Sequence, residues 1–114
     1  MGKLNQNFTT WKGNYREIKF LIEDVATVEG CEAEWACAES DTSLIKNISK
    51  SSESTPAGIT FSGKTVTVIL NPADTASMDA GDYYHELRLI DTSSNPSTPA
   101  IGTMTLKEVI LTGT

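Results

Sequence analysis

The sequence predicts an all-β fold, an antiparallel β-sandwich of about seven strands. Three observations carry that reading. Apolar and polar residues alternate in short runs, turn signals recur roughly every eight to twelve residues, and helical periodicity is almost absent. The chain has 114 residues, 39% hydrophobic and 21% charged, which suits one domain with a single core spanning 1–114.

Residues 8–11 form a short extended candidate within a polar amino-terminal segment, read as an arm over residues 1–11. A stronger strand follows over 15–24, with Ile18, Phe20 and Ile22 on one face and Lys19, Leu21 and Glu23 on the other. Residues 25–30 read as a hairpin-like break. In 31–37, Cys31, Ala33, Trp35 and Cys37 alternate with Glu32, Glu34 and Ala36, the pattern of a half-buried strand. The polar stretch 38–43 leads to a weak edge strand over 44–49, and the Ser-rich run 50–58, which holds Pro56 and Gly58, reads as a surface loop.

The signals sharpen beyond Gly58. Residues 59–61, a Ser62-Gly63 turn and residues 64–70 predict a hairpin with Val66, Val68 and Leu70 inward. Asn71 as cap, Pro72 at the first helical position and Asp74 near the positive end predict one short helical turn near 72–78 that crosses between sheets. Residues 83–90 place Tyr83, His85, Leu87 and Leu89 on one face. A polar loop over 91–99 precedes a last strand over 101–111, with Met104, Leu106 and Val109 available to the core.

Asp79-Ala-Gly81-Asp-Tyr83 has the form of the tyrosine corner that opens the penultimate strand of immunoglobulin-like domains, where the phenol bonds back to the backbone upstream. The sandwich is therefore predicted to be immunoglobulin-like. Trp35 is the natural centre of its core, and His85, two residues after Tyr83, stands in the region where an antibody domain has its disulfide.

Chemistry-bearing residues are few. Cys31 and Cys37 lie six residues apart on one strand, about 20 Å at roughly 3.3 Å each, so they cannot join in a disulfide and read as reduced, structural thiols. The single histidine, His85, has apolar neighbours on its face, and Glu86 beside it points the other way. Asp74, Asp79 and Asp82 lack the spacing of a calcium loop, and no strand face gathers carboxylates with a nucleophile, so Asp79 or Asp82 as acid or base is the weakest reading. No metal, cofactor or enzymatic activity is expected. The sequons at Asn7 and Asn47 carry no weight in a chain expected to lack a secretion signal.

The net charge is −6, from 9 Lys and Arg against 15 Asp and Glu, and it is spread without a basic cluster, which argues against nucleic-acid binding. The longest apolar runs, 20–22 and 66–70, are strand-sized, far short of the roughly 18 to 20 residues of a membrane span. No apolar signal-peptide core follows Met1, so synthesis in the cytoplasm is expected.

Residues 66–91, Val-Thr-Val-Ile-Leu-Asn-Pro-Ala-Asp-Thr followed by Ala-Gly-Asp-Tyr-Tyr-His-Glu-Leu, resemble small β-sandwich domains of tailed bacteriophages. That family includes the amino-terminal domain of the phage baseplate upper protein. The resemblance implies a non-enzymatic virion structural module of the tail, the baseplate or the capsid surface, made in the host bacterium. It would be held by contacts with other virion proteins and with copies of itself. On that reading Tyr84 and Arg88, together on the outer side of the penultimate strand, form a candidate interface, residue types that concentrate at interface cores. Leu21, Ile45 and Ile69 are further outward apolar residues. Phe8 and Trp11, with residues 103–114, are candidates for exchange between subunits. The alternative is a carbohydrate- or host-surface-binding sandwich that stacks sugars on Trp11, Tyr15 or Tyr84.

Overall fold

The computed structural model describes residues 4–23, 25, 27–40, 42–43, 45–53 and 57–108, with the side chains of Leu4 and Asn5 left aside. Within them the chain is all-β. In order come β1 (Leu4–Asn5), β2 (Phe8–Trp11), β3 (Arg16–Leu21), β4 (Glu32–Ala38), β5 (Ile48–Ser51), β6 (Ile59–Ser62), β7 (Thr65–Leu70), the single turn α1 (Pro72–Thr75), β8 (Gly81–Ile90) and β9 (Pro96–Lys107). The larger sheet has the order β1-β9-β8-β4-β5, with β2 also on β9, and the smaller has the order β3-β7-β6.

Alternation decides what each strand buries. Ile18 and Phe20 of β3, Val66, Val68 and Leu70 of β7, Ala33, Trp35 and Cys37 of β4, and Tyr83, His85, Leu87 and Leu89 of β8 all point between the sheets and are buried. Met104 and Leu106 of β9 join them. Trp35 is at the centre, 1% exposed. The hairpin expected at Gly63 joins β6 to β7 with Phe61 opposite Val66 and Ile59 opposite Val68. The helical turn links β7 of one sheet to β8 of the other and covers Pro72–Thr75, shorter than the 72–78 expected, although Met78 N–H still bonds the Thr75 carbonyl at 3.0 Å. Its start is held by the Asp74 carboxylate, which accepts the Asn71 backbone N–H at 2.7 Å. The same carboxylate meets Lys50 Nζ at 2.6 Å, tying the edge strand β5 to the crossover.

Several expectations are corrected. Residues 4–11 are not a free arm: β1 and β2 lie along β9, with Leu4 opposite Ala100 and Phe8 opposite Met104, and they run parallel to it, so the larger sheet is mixed rather than purely antiparallel. The register is the same on both sides of Gln6 and Asn7, and the backbone there passes so close to Gly102 that a Cβ on Gly102 would collide with the Gln6 carbonyl. The break at 25–30 is not a hairpin, because β3 belongs to the smaller sheet and β4 to the larger. The expected edge strand over 44–49 lies at Ile48–Ser51 and leaves Ile45 in the preceding loop.

The last strand begins at Pro96, five residues earlier than expected. The Asp91 carboxylate accepts the backbone N–H groups of Ser93 and Asn95, each at 2.9 Å, and Asp91 N–H bonds the Asn95 carbonyl at 3.1 Å. The turn is thus closed within residues 91–95, and β9 can start at once. The register shifts by one residue between Leu87 and Leu89, so Thr98 and Pro99 share one position on β9, a bulge that accepts a proline without a ladder N–H. Leu44, Val109, the loop tip 54–56, Met1 and residues 109–114 of the expected exchanging terminus lie outside the described residues.

Candidate functional site

The sheet pleat that sends Trp35 and Cys37 inward sends Glu34 and Ala36 of β4 and Tyr84, Glu86 and Arg88 of β8 to the outer face of the larger sheet. Pairing aligns them in rows: Ser51, Glu34 and Arg88; then Ser49, Ala36 and Glu86; then Ala38 beside Tyr84. Ala36 has the shortest side chain at the middle of this array. The surface sinks there into a concavity of about 220 Å³, bordered by Tyr84, Glu86, Arg88, Ser49 and Lys46. Arg88 and Glu34 face each other at 3.8 Å, both about half exposed, a loose pair with little effect on stability. Two cations, two carboxylates, one aromatic ring and several hydroxyls surround a small-residue floor. Such a surface can seat a protruding side chain of a partner and hold its polar rim.

Of the residues expected at an interface, Tyr84 and Arg88 both border this concavity. Phe8 does not. It is half-buried against the core, its ring 5.1 Å from the His85 ring and the Arg16 guanidinium 5.3 Å over its face. Trp11, 42% exposed, sits at the far end of β2 opposite Lys107. Tyr15 is exposed before β3 and bonds Glu17 through its hydroxyl at 2.7 Å. Of the three proposed sugar platforms, only Tyr84 borders the concavity.

Tyr83 donates its hydroxyl to the Asp79 carbonyl at 2.6 Å, and Gly81, with φ of +150°, turns the chain into β8. Trp35 Nε1–H donates to His85 Nδ1 at 3.2 Å. Burial pushes the Cys37 thiol up to about 11, so it stays protonated, and burial lowers His85 below the usual imidazole range. Cys31 is half-buried just ahead of β4, and both cysteines are free. Asp74 serves α1 and Lys50, while Asp82 accepts the Thr105 hydroxyl at 2.8 Å. No group of three potential metal ligands occurs among the described residues.

No model of a known protein family matches the chain, and no curated protein matches it. The concavity itself was missed by sequence reasoning, which named Tyr84 and Arg88 but not Ala36, Glu86, Lys46 or Ser49. Part of the signal was present in the alternation, which puts the two small side chains of Ala36 and Ala38 on the outward face after Glu34. Seeing Ala36 as a floor required the register of β4 between β5 and β8.

Proposed function

We propose that the chain is an immunoglobulin-like structural module of a tailed-phage particle, acting through protein contacts on the outer face of β4 and β8. The immunoglobulin-like reading is supported by strand order. The three-stranded sheet β3-β7-β6 and the run β9-β8-β4-β5 follow the B-E-D and G-F-C-C′ arrangement of variable-type domains. The tyrosine corner then opens the strand equivalent to F, and Trp35 lies on the equivalent of C. Phe20 and His85, their rings 6.1 Å apart, stand on the two strands that carry the inter-sheet disulfide in antibody domains.

The observation that carries the functional reading is the division of residue types between the two faces of one sheet. His85 and Cys37, the imidazole and the thiol that β8 and β4 carry, are closed inside. Tyr84 and Arg88, the types that anchor interfaces, flank a concavity outside. This pattern favours contact over catalysis, and the phage assignment adds the resemblance at residues 66–91. The test is to purify the phage particles and quantify the chain in them by mass spectrometry, beside a Tyr84→Ala, Arg88→Glu variant with an unchanged folded spectrum. The proposal expects stoichiometric wild-type protein and a depleted variant. Absence of the wild-type chain from particles would refute it, and binding to a glycan array that is lost in Tyr84→Ala would favour the carbohydrate reading.

A further inference from the structure

His85 is fully buried, yet both ring nitrogens are engaged, and the partners fix which of them carries hydrogen. An indole N–H can only donate. Nδ1, facing Trp35 Nε1–H at 3.2 Å, must therefore be the bare acceptor, and Nε2 carries the hydrogen that it donates to the Gln6 carbonyl at 2.6 Å. The imidazole is neutral in one tautomer. It joins the centre of the core to Gln6, between β1 and β2.

Beyond the ladder that pairs six of its residues with β9, the amino-terminal segment is held by a handful of bonds. Gln6 N–H bonds the Ile101 carbonyl at 2.8 Å, Thr103 N–H bonds Asn7 Oδ1 at 2.9 Å, and Lys12 N–H bonds the Lys107 carbonyl at 3.0 Å. Arg16 reaches across from β3 to the Thr9 carbonyl at 2.9 Å. β1 and β2 pair along one side only, at the sheet edge, the kind of element that opens at less cost than the core. The Gln6 carbonyl and the Phe8 ring are also what cover His85 from that side.

A second proton on His85 has no good place. It would sit on Nδ1 and point at the Trp35 N–H, donor against donor, and the cation would be enclosed by Phe8 of β2, Phe20 of β3 and Trp35 of β4. The titratable group opposite it on β4 is the protonated Cys37 thiol; β9 presents Gly102, and the charged group beyond Phe8 is the Arg16 guanidinium. No carboxylate among the described residues forms an ion pair with it. Detaching the amino-terminal segment gives up the Gln6 carbonyl, a contact that by itself favours the charged ring, but it lifts the larger effect, burial, and frees the ring at Nε2 to turn Nδ1 away from Trp35.

We propose that His85 is an acid-sensitive latch for the amino-terminal segment: protonation of the imidazole releases residues 4–11 from β9 while the two sheets remain folded. Linkage sets the size. The open form has an ordinary imidazole, so below about pH 6.5 the opening constant rises about tenfold per pH unit, until the closed form itself titrates.

Hydrogen exchange by NMR in the regime that reports opening equilibria, corrected for intrinsic rates, tests this on the intact chain between pH 7.5 and 5. The Gln6 and Lys12 amides should exchange through an opening smaller than global unfolding, and that opening should take up one proton below about pH 6.5. His85→Gln can present an N–H to Gln6 and an oxygen to Trp35 without titrating, and it should abolish the pH slope. Exchange of Gln6 and Lys12 only with the β3–β7 core, or an opening with no proton uptake, overturns the proposal. Nitrogen-15 shifts of the wild-type imidazole give a reading independent of any variant. Hydrogen on Nε2 at pH 7 supports the latch, and hydrogen on Nδ1 overturns it.

Discussion

Gly102→Ala puts the docking of the amino-terminal segment under direct strain. The backbone at Gly102 needs no positive φ, so alanine costs nothing there by conformation. Its Cβ, however, would stand 2.6 Å from the Gln6 carbonyl carbon and 2.9 Å from Asn7 Oδ1, and closer still to the Gln6 oxygen. Backbone on one side and a hydrogen-bonded side chain on the other cannot yield by a rotamer change, so the Gln6–Asn7 segment must lift. Lifting it breaks Gln6 N–H to Ile101, Thr103 N–H to Asn7 and the His85 bond to the Gln6 carbonyl. At about 1 kcal/mol net for each hydrogen bond, the loss is about 3 kcal/mol. With a urea m-value of roughly 1.5 kcal/mol/M for a domain of this size, the unfolding midpoint falls by about 2 M. Gly63→Ala is the comparison. There φ is +59° with nothing within 4 Å of the added carbon, and only the left-handed conformation is penalised, by about 1 kcal/mol. Equilibrium urea unfolding of the two variants would refute the reasoning if Gly102→Ala lost less than Gly63→Ala.

Trp35→Phe keeps an aromatic ring but removes the donor to His85 Nδ1 and leaves space in the core, so it should cost about 2 to 3 kcal/mol in chemical denaturation. Stability should fall with acid below about pH 6.5: the His85 pKa is lowered by folding, so the unfolded chain binds the extra proton first, and the loss grows until the folded form also titrates. A urea midpoint flat from pH 7 to 5 would contradict this. In thiol labelling at pH 8, Cys31 should react ahead of Cys37, whose thiolate fraction near a pKa of about 11 is on the order of a thousandth and whose sulfur is buried. Lys50→Met should cost about 1 kcal/mol by unpairing Asp74 from its largely covered partner.

The parts of the fold legible in the sequence are those set by local rules. Alternation assigned the buried faces of β3, β4, β7 and β8, Gly63 marked a tight turn, and Asn71, Pro72 and Asp74 marked the crossover. Tyr83 was readable because the corner bond spans four residues. Whatever depended on partners distant in sequence was not readable. The parallel placement of β2 on β9 depends on the missing side chain at Gly102, which lets the backbone of Gln6 pass close by from 96 positions earlier in the chain. The early start of β9 depends on Asp91 closing its own turn, while the polar composition of residues 96–99 by itself reads as a loop. For the candidate site, alternation showed Tyr84 and Arg88 sharing an outer face. The concavity between them exists only because strand pairing sets Ala36 between Ser49 and Glu86.

The central claim is that the outer face of β4 and β8 is the surface on which this chain meets its partner. Its most direct measurement is photo-crosslinking in intact particles, with a benzophenone amino acid placed either at Ser49, on the rim of the concavity, or at Thr60, exposed on β6 of the opposite sheet. The account predicts a discrete crosslink to a virion protein or to a second copy from Ser49 and none from Thr60. A crosslink from Thr60 alone would contradict it.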